Sequence, residues 1–207
     1  MASGTRPYAG RSAAERAAER RERLGDATVR LLARSGETAT TMTAVCAEAG
    51  LTERYFYESF ASRDDALAAA LDHVAARIVA VAESAVSSTP GSPVDRAHGA
   101  IAAVVRLAGD EADTVRVAVV ESSANARLRA VRRRQVQAFA DVVQRHATDL
   151  FGPAAPPPAR LRLHALLFIG GFTQLLESWL TGDLDTTPDE LTEVAVDLFL
   201  GLSGGQG

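Results

Sequence analysis

Residues 50–67 read Gly-Leu-Thr-Glu-Arg-Tyr-Phe-Tyr-Glu-Ser-Phe-Ala-Ser-Arg-Asp-Asp-Ala-Leu, which places a tight turn, a short aromatic helix and a new helix start within eighteen positions. Gly50 has the backbone freedom needed to end a preceding helix, and Thr52 is a natural N-cap for the next one. Phe56 and Phe60 share one side of that next helix, because residues four positions apart lie on the same face. The segment therefore predicts a short helix with one side in a core and another side left for a partner.

A further short helix is predicted directly upstream of this turn. Thr40 and Thr41 can cap a helix that extends to Ala49, where Gly50 ends it. Two short helices joined by a tight turn are typical of the helix-turn-helix, whose second helix reads the major groove of DNA. The pattern thus indicates a DNA-binding unit.

A longer helix is predicted to begin after the second short helix. Ser62 is its N-cap, Asp65 three residues later approximates a capping box, and the carboxylate of Asp64 suits a helix N-terminus. The cation of Arg63 gains nothing from the dipole of that helix end. Two interpretations of Arg63 stay open: a contact with a phosphate drawn to the same helix end, or a solvated side chain.

These motifs resemble the DNA-binding domain of the tetracycline-repressor (TetR) family of bacterial transcription regulators, over roughly the first third of the chain. In that family a short helix ends in Ala-Gly, a hydrophobic residue and Ser or Thr follow, and aromatic residues surround a Tyr-x-x-Phe step before Ser-Lys-Glu-x-Leu. The matching positions here are Ala49, Gly50, Leu51, Thr52, Tyr57, Phe60, Ser62, Arg63, Asp64 and Leu67. The first helix resembles the family in its core positions and terminal glycine, which are Leu24, Ala27, Leu31, Leu32 and Gly36.

Some positions depart from the family pattern. The usual lysine is Arg63, which keeps the charge, and a frequent histidine before the phenylalanine is Ser59, which removes one possible phosphate contact. Glu53 and Glu58 also make the second short helix more acidic than a general phosphate-binding helix should be. Glu53 is open to two interpretations, a contact with a cytosine amino group or an ion pair with Arg54, and we prefer the pair.

The net charge of −4 is distributed unevenly along the 207 residues. Residues 1–34 carry eight arginines and four carboxylates, whereas residues 35–67 and 68–207 each carry a net charge of −4. The positive field is therefore concentrated in the N-terminal arm and first helix, where a surface contacting the DNA backbone needs it. The arm is open to two interpretations, a solvated helical extension from about Ser12 or a source of phosphate or minor-groove contacts.

Composition and length predict a compact soluble protein. Hydrophobic residues make up 47% of the chain and charged residues 23%, enough for one large core or two modest ones. Cys46 is the only cysteine, so no internal disulfide can form, and we expect a packed thiol in a reducing compartment. We find neither a membrane-spanning stretch nor the apolar core of a signal peptide, and therefore expect a cytoplasmic location.

Beyond Leu67 apolar residues recur at helical spacing, and no alternating strand pattern is long enough to compete. We therefore predict an all-α fold, with an N-terminal three-helix DNA-binding domain over residues 1–67 and a helical effector-binding and dimerisation domain over residues 68–207. Breaks at proline and glycine predict helices over residues 63–87, 93–107, 111–120, 125–151, 158–180 and 188–202, with a loop over 152–158.

The last two predicted helices carry a wide apolar surface. Gly170 and Gly171 lie within it, and each mid-helix glycine costs about 1 kcal/mol relative to alanine unless a partner helix or a ligand approaches closely. The resemblance implies that these helices pair with their copies in a second subunit as a four-helix bundle. The alternative is a self-contained core within one chain. A helix-turn-helix that reads a palindrome needs a two-fold partner, which favours the homodimer.

The resemblance also implies a pocket for a small-molecule effector among the middle helices. Candidates for its wall mix aromatic and polar groups on predicted inward faces: Arg106, Glu121, Phe139, Phe168, Phe172 and Gln174. The four histidines form no i, i+4 pair and have no cysteine nearby, so we expect neither a metal site nor a cofactor. The Arg132-Arg133-Arg134 run is expected to be a solvated surface or a source of ion pairs.

The resulting prediction is a ligand-responsive transcription regulator, most often a repressor in this family, which binds palindromic operator DNA as a homodimer and is released by an effector. Tyr57 and Arg63 are expected to hold phosphates, while Thr52, Arg54 and Tyr55 suit the major groove. The full set of expected DNA contacts is Thr41, Thr43, Thr52, Arg54, Tyr55, Tyr57 and Arg63. The effector would favour a dimer whose two reading helices no longer fit half-sites about 34 Å apart, with the helix from residue 63 as the mechanical link.

Two other function classes make different demands on the sequence. An enzyme needs a convergent nucleophile, acid and base, yet the sequence contains no nucleophile motif, glycine-rich phosphate loop or metal cluster, so we predict no catalytic residues. A helical protein-interaction module needs no special residues and stays open. Salt dependence separates it from a DNA-binding protein, because operator binding weakens steeply as salt rises.

Overall fold

Ten α-helices make up the architecture of the computed structural model over residues 12–120 and 126–201, the parts of the chain that it describes. Those ranges contain no strand, which confirms the all-α prediction, and none of their helices is long and apolar enough to cross a bilayer. In chain order the helices are α1 (Ala13–Ala39), α2 (Met42–Ala49), α3 (Glu53–Ser59), α4 (Arg63–Ser88), α5 (Pro93–Asp110), α6 (Ala112–Val120), α7 (Ala126–Arg145), α8 (Ala147–Phe151), α9 (Pro158–Thr181) and α10 (Pro188–Gly201), with a 3-10 turn over Gly152–Ala154.

The predicted helix over residues 125–151 is wrong in one respect, because two helices occupy it. His146 leaves helical geometry, with φ −99° and ψ 18°, and separates α7 from α8. The proline-rich loop follows as predicted, since Gly152 ends α8 and Pro158 is the first residue of α9. A proline fits that position because the first helical N–H has no partner within the helix.

α1, α2 and α3 pack around a small core of their own. Phe56 and Phe60 lie on the buried side of α3, with ring centroids 5.6 Å apart. Cys46 of α2 is a buried thiol in the same core, and its burial raises the pKa of that thiol above the ordinary value. The core residues are Leu24, Ala27, Leu31, Val45, Cys46, Ala49, Phe56, Phe60 and Ala66.

A larger core lies in the C-terminal part of the chain, among α4 to α10. Phe168 of α9 stacks on Phe172 with ring centroids 5.3 Å apart, and it meets the ring of Phe199 edge-on at 5.0 Å. Such aromatic contacts stabilise by about 0.5–1.5 kcal/mol beyond the area that they bury. The core is therefore rich in aromatic rings at the centre of the domain predicted to bind an effector.

α4 joins the two cores. Its first turns contribute Ala66 to the small core, and its last turns contribute Val86 to the large one. The predicted domain division at residue 67 therefore falls inside a continuous helix. Between the two cores, α1, α4, α6 and α7 share a packed junction of Leu32, Ala33, Leu67, Ala68, Leu71, Val117 and Val131.

Candidate nucleic-acid interface

The turn between α2 and α3 has the geometry that the sequence predicts. Gly50 adopts a left-handed conformation, with φ 61° and ψ 38°, which a residue without a Cβ reaches at little cost. The hydroxyl of Thr41 caps α2 by accepting a hydrogen bond from the amide of Ala44 at 3.2 Å. Thr52 occupies the N-cap position of α3, but its hydroxyl makes no capping hydrogen bond, so that part of the expectation is wrong. Its hydroxyl instead lies at the exposed start of α3.

The predicted DNA contacts lie mostly on the exposed side of this helix pair. α2 and α3 bury their apolar sides in the small core, which leaves their polar sides toward solvent. Tyr57 is unusual among these residues, because a large aromatic side chain that is 60% exposed buries little apolar surface. The exposed members of the predicted set are Thr41, Thr43, Thr52, Arg54 and Tyr57.

Tyr55 is half-buried, because an arginine from α1 covers its ring. The guanidinium carbon of Arg20 lies 4.5 Å from the centroid of that ring, a cation–π contact. Arg20 also lies 3.7 Å from the carboxylate of Glu58. The first helix thus contacts the solvent side of α3 through a residue that the motif alone did not identify.

Two more arginines of α1 bind carbonyl groups at the ends of α2 and α3. Arg23 donates a 2.7 Å hydrogen bond to the carbonyl of Ala49, and Arg21 donates to the carbonyl of Ser59. The guanidinium of Arg21 also lies 4.3 Å from the centroid of the Phe60 ring. Cations are favourable at helix C-termini, so these residues fix α2 and α3 against α1. Arg6 and Arg11 of the predicted arm lie outside the described residues.

Arg63 has partners within the chain, which corrects the expectation that its cation gains nothing locally. Its guanidinium donates a 2.7 Å hydrogen bond to the carbonyl of Thr40 and another to the carbonyl of Glu37. It also lies 3.5 Å from the carboxylate of Glu37 and 3.6 Å from that of Asp64. Gly36, with φ 71°, breaks α1 just before these carbonyls and turns them toward Arg63. Arg63 therefore closes the C-terminal end of α1.

The preferred ion pair between Glu53 and Arg54 is wrong. Arg54 pairs with Glu58 four residues later, at 3.0 Å, where helical geometry brings the two side chains together. Glu53 accepts a 3.5 Å hydrogen bond from the hydroxyl of Thr43 on α2. Adjacent positions of a helix point in different directions, which explains why Glu53 and Arg54 do not meet.

Glu48 ties α2 to α1 on a neighbouring surface. Its carboxylate lies 3.0 Å from Arg30 and 3.1 Å from Arg34. These two hydrogen-bonded arginines hold the pKa of the Glu48 carboxyl below its ordinary value. The carboxylate consequently stays ionised at neutral pH and neutralises part of the positive charge of α1.

The effector-site candidates divide into two groups. Phe139, Phe168 and Phe172 line one apolar cavity in the large core. Arg106 and Gln174 are exposed, so the predicted inward orientation is wrong for both of them. They fall on the outer sides of α5 and α9, whose inner sides are occupied by apolar residues. Glu121 lies outside the described residues.

The arginine run of α7 has a partly different role from the one expected. Arg134 forms an ion pair with Asp72 at 2.7 Å, as the surface interpretation predicts. Arg132 instead is half-buried and lines a second cavity together with Gln135. Among the residues that the structure describes, no three His, Cys, Asp or Glu side chains lie close enough together to hold a metal ion.

Comparison with known proteins adds to this geometry. Residues 24–70 match the family model of bacterial regulatory proteins of the tetR family, a range that spans most of α1, all of α2 and α3 and the first turns of α4. No curated protein sequence matches the chain.

Solved structures share the fold over most of the chain. A putative transcriptional regulator from Pseudomonas aeruginosa PAO1 is 17% identical, with a TM-score of 0.72 over 91% of this chain and 92% of that one. FadR from Bacillus subtilis, solved in complex with stearoyl-CoA, is 15% identical, with a TM-score of 0.72 over 90% and 99%. A putative TetR-family regulator from Rhodococcus sp. is 19% identical, with a TM-score of 0.72 over 90% and 100%. Residues 24–70 therefore match the helix-turn-helix region of tetR-family regulators, and the chain has the fold of these transcription regulators over about 90% of its length.

Proposed function

We propose that this protein is a ligand-responsive repressor that binds palindromic operator DNA as a homodimer and leaves it when an effector binds. The observation that carries the proposal is the exposed polar side of α2 and α3, opposite a side that is buried in the small core. A helix pair held in this way can insert α3 into a major groove while α2 crosses the backbone.

The exposed residues suggest a division of roles on the DNA. Thr52 and Arg54, at the N-terminal end of α3, suit base edges in the major groove, and Tyr57 suits a phosphate. Thr41 and Thr43 suit phosphates beside α2. Tyr55 contributes mainly through its contact with Arg20, which fixes the orientation of α3.

Arg63 differs from the other proposed DNA contacts. Its hydrogen bonds to the end of α1 favour a positioning role, with a phosphate contact left to the N–H groups that these two bonds do not use. A guanidinium has five N–H groups, so it can serve both roles at once.

An exposed apolar surface on α9 and α10 supports the homodimer. Leu163 and Leu167 of α9 are 62% and 66% exposed, and Val194 and Leu198 of α10 are 53% and 39% exposed. A Cβ built on Gly170 would meet nothing within 4 Å in the single chain, which leaves room for close approach by another helix. We propose that this surface pairs with its copy around a two-fold axis, as a palindromic operator requires.

The apolar cavity lined by Phe139, Phe168 and Phe172 supports effector binding in the C-terminal domain. FadR from Bacillus subtilis, which has this fold, was solved with stearoyl-CoA. α4 extends from the small core to the large one, so displacement of its C-terminal half would change the spacing of the two α3 helices in a dimer. The effector acts by binding more tightly to the dimer with the changed spacing of its α3 helices.

Binding to the intergenic DNA upstream of the gene tests the proposal. The full-length protein and the Tyr57→Ala variant are titrated with this DNA and with random DNA of equal length at several salt concentrations. We expect site-specific binding by the wild type that weakens steeply with salt, and about ten-fold weaker binding by Tyr57→Ala, since one phosphate hydrogen bond is lost.

Val94→Ala is the matched control, because Val94 is 50% exposed but lies on α5, away from α2 and α3. Its affinity for the operator should equal that of the wild type. A protein-interaction module would instead give weak binding to both DNAs and the same affinity for wild type and Tyr57→Ala, and that result would refute the regulator proposal.

A further inference from the structure

Two apolar cavities lie next to each other in the C-terminal domain. The first has a volume of about 60 Å³ and a wholly apolar lining that includes Ala100 and Leu150. The second, of about 100 Å³, lies toward α6. Both are lined by Val104, Phe139 and Phe172, so they are separated by little more than the thickness of these side chains.

Phe139 is the side chain whose displacement would most easily join the two cavities. It is half-buried, whereas Phe172 is only 5% exposed, and it stacks on Phe168 with ring centroids 5.8 Å apart. Ligand pockets usually measure about 300–1,000 Å³, so neither cavity holds an effector as it stands. A ligand that displaces the Phe139 ring would instead occupy both cavities as one elongated apolar channel.

The polar groups of this channel are confined to the second cavity. Thr173 donates its hydroxyl to the carbonyl of Ile169 at 2.6 Å, and Gln135 donates to the carbonyl of Leu71 at 3.1 Å. Arg132 donates a longer hydrogen bond, of 3.4 Å, to the carbonyl of Val119. The planar guanidinium of Arg132 has five N–H groups, and this geometry matches the two oxygens of a carboxylate. The amide of Gln135 and the hydroxyl of Thr173 do not match a carboxylate in this way. The channel thus combines one cationic end with a long apolar body.

We propose that the effector is a linear alkyl carboxylate of medium chain length. The carboxylate binds Arg132 in the second cavity, and the alkyl chain passes Phe139 into the first cavity. This inference rests on the proposed function, because it names the effector class of the same regulator. Burial of apolar area grows with each methylene group of the ligand, and this gain offsets the displacement of one half-buried ring.

Calorimetric titration of the full-length protein without DNA tests the ligand class. The probes are octanoate, decanoate, dodecanoate and tetradecanoate below their micelle concentrations, with 1-dodecanol as the uncharged probe. We expect binding with a negative heat-capacity change, as burial of an apolar chain requires. We also expect dodecanoate to bind at least ten-fold more tightly than 1-dodecanol.

Substitutions at Arg132 test the carboxylate site. Arg132→Gln should weaken dodecanoate at least ten-fold and leave 1-dodecanol unchanged, and Arg132→Lys should restore part of the preference. Arg133→Gln is the matched control, because Arg133 carries the same charge on the same helix but is exposed. Equal effects of Arg132→Gln and Arg133→Gln would overturn the site. A thermal melt of each variant confirms that it is folded.

A substitution in the first cavity tests the path of the chain. Ala100→Leu fills part of that cavity and should shift the preferred probe to a shorter chain, while an unchanged preference would contradict the path. Operator binding is measured separately on the same preparations. Retained operator binding without binding of any probe would overturn the ligand class alone, and probe binding without operator binding would overturn the regulator proposal alone.

Discussion

Arg63, the first residue of α4, closes the C-terminal end of α1 through the carbonyls of Glu37 and Thr40. The side chain is only one-third exposed, so these charge-assisted hydrogen bonds are partly shielded from water. Arg20, Arg21 and Arg23 act on α2 and α3 in a similar way. The arginines around the helix-turn-helix therefore hold its helices together as well as supplying positive charge.

Replacing Arg63 should destabilise the protein. Arg63→Met removes a charge-assisted donor from the carbonyls of Thr40 and Glu37, of which Glu37 keeps a second donor, the amide of Thr40. We expect it to lower the free energy of unfolding by about 2 kcal/mol, measured by urea denaturation. Arg54→Met is the control, because Arg54 is 83% exposed and its pair with Glu58 lies on the surface of one helix. It should change the free energy of unfolding by less than about 0.5 kcal/mol. Equal losses would show that Arg63 has no capping role.

Glu48 predicts a dependence of stability on pH. Its folded pKa lies below the ordinary 4.5, so its contribution is complete above that value and is lost as pH falls through the folded pKa. The difference in melting temperature between the wild type and Glu48→Gln should therefore be largest near pH 7 and shrink steadily below about pH 4.5. A difference that stays constant from pH 7 to pH 3 would contradict this role.

At the scale of elements, the helix-turn-helix depends on a turn that strongly favours glycine. Gly50 has φ 61°, and a Cβ added there would meet Arg23 only at an ordinary 3.5 Å. The cost of a substitution therefore comes from backbone conformation rather than from crowding. The N-cap of α2 by Thr41 and that of α4 by Ser62 complete the local determinants of this region.

Gly50→Ala should lower the free energy of unfolding by about 1 kcal/mol, because a side chain disfavours the left-handed region. Gly25→Ala gives the opposite expectation, a gain of about 0.5–1 kcal/mol, since Gly25 is helical and an added Cβ meets nothing within 4 Å. Chemical denaturation of both variants checks the two signs. If Gly25→Ala lowered the free energy of unfolding as much as Gly50→Ala, the effect of an added Cβ would come from packing rather than from backbone conformation.

For the whole molecule, the exposed apolar surface of α9 and α10 determines the expected assembly. Leu167→Glu places a carboxylate at the most exposed leucine of that surface, where it would be buried in the proposed dimer. We expect the wild type to sediment at twice its chain mass of 21.8 kDa and Leu167→Glu to sediment as a monomer with an unchanged circular dichroism spectrum.

Val94→Glu serves as the control for added charge, because Val94 is an exposed apolar residue outside α9 and α10. It should sediment like the wild type. A Leu167→Glu protein that remains dimeric would place the interface elsewhere and would remove the geometric basis proposed for reading a palindrome.

The amino-acid sequence by itself determined the all-helical fold, the position of the helix-turn-helix and most helix ends. These features depend on local chemistry: the glycine at position 50, the caps at Thr41 and Ser62, and the prolines at 93, 158 and 188 act on neighbouring residues. The buried sides of α2 and α3 were also predictable, because helical spacing places Phe56 and Phe60 together.

Only the tertiary structure decided which groups the charged side chains bind. Arg63 meets a carbonyl 23 residues away and Arg21 one that is 38 residues away, and no local pattern specifies such contacts. The inward or outward position of Arg106, Gln174 and Arg132 likewise depends on how whole helices rotate as they pack. Hydrogen bonds of long side chains are chosen after the helices have packed, so the sequence predicts the helices more reliably than it predicts these partners.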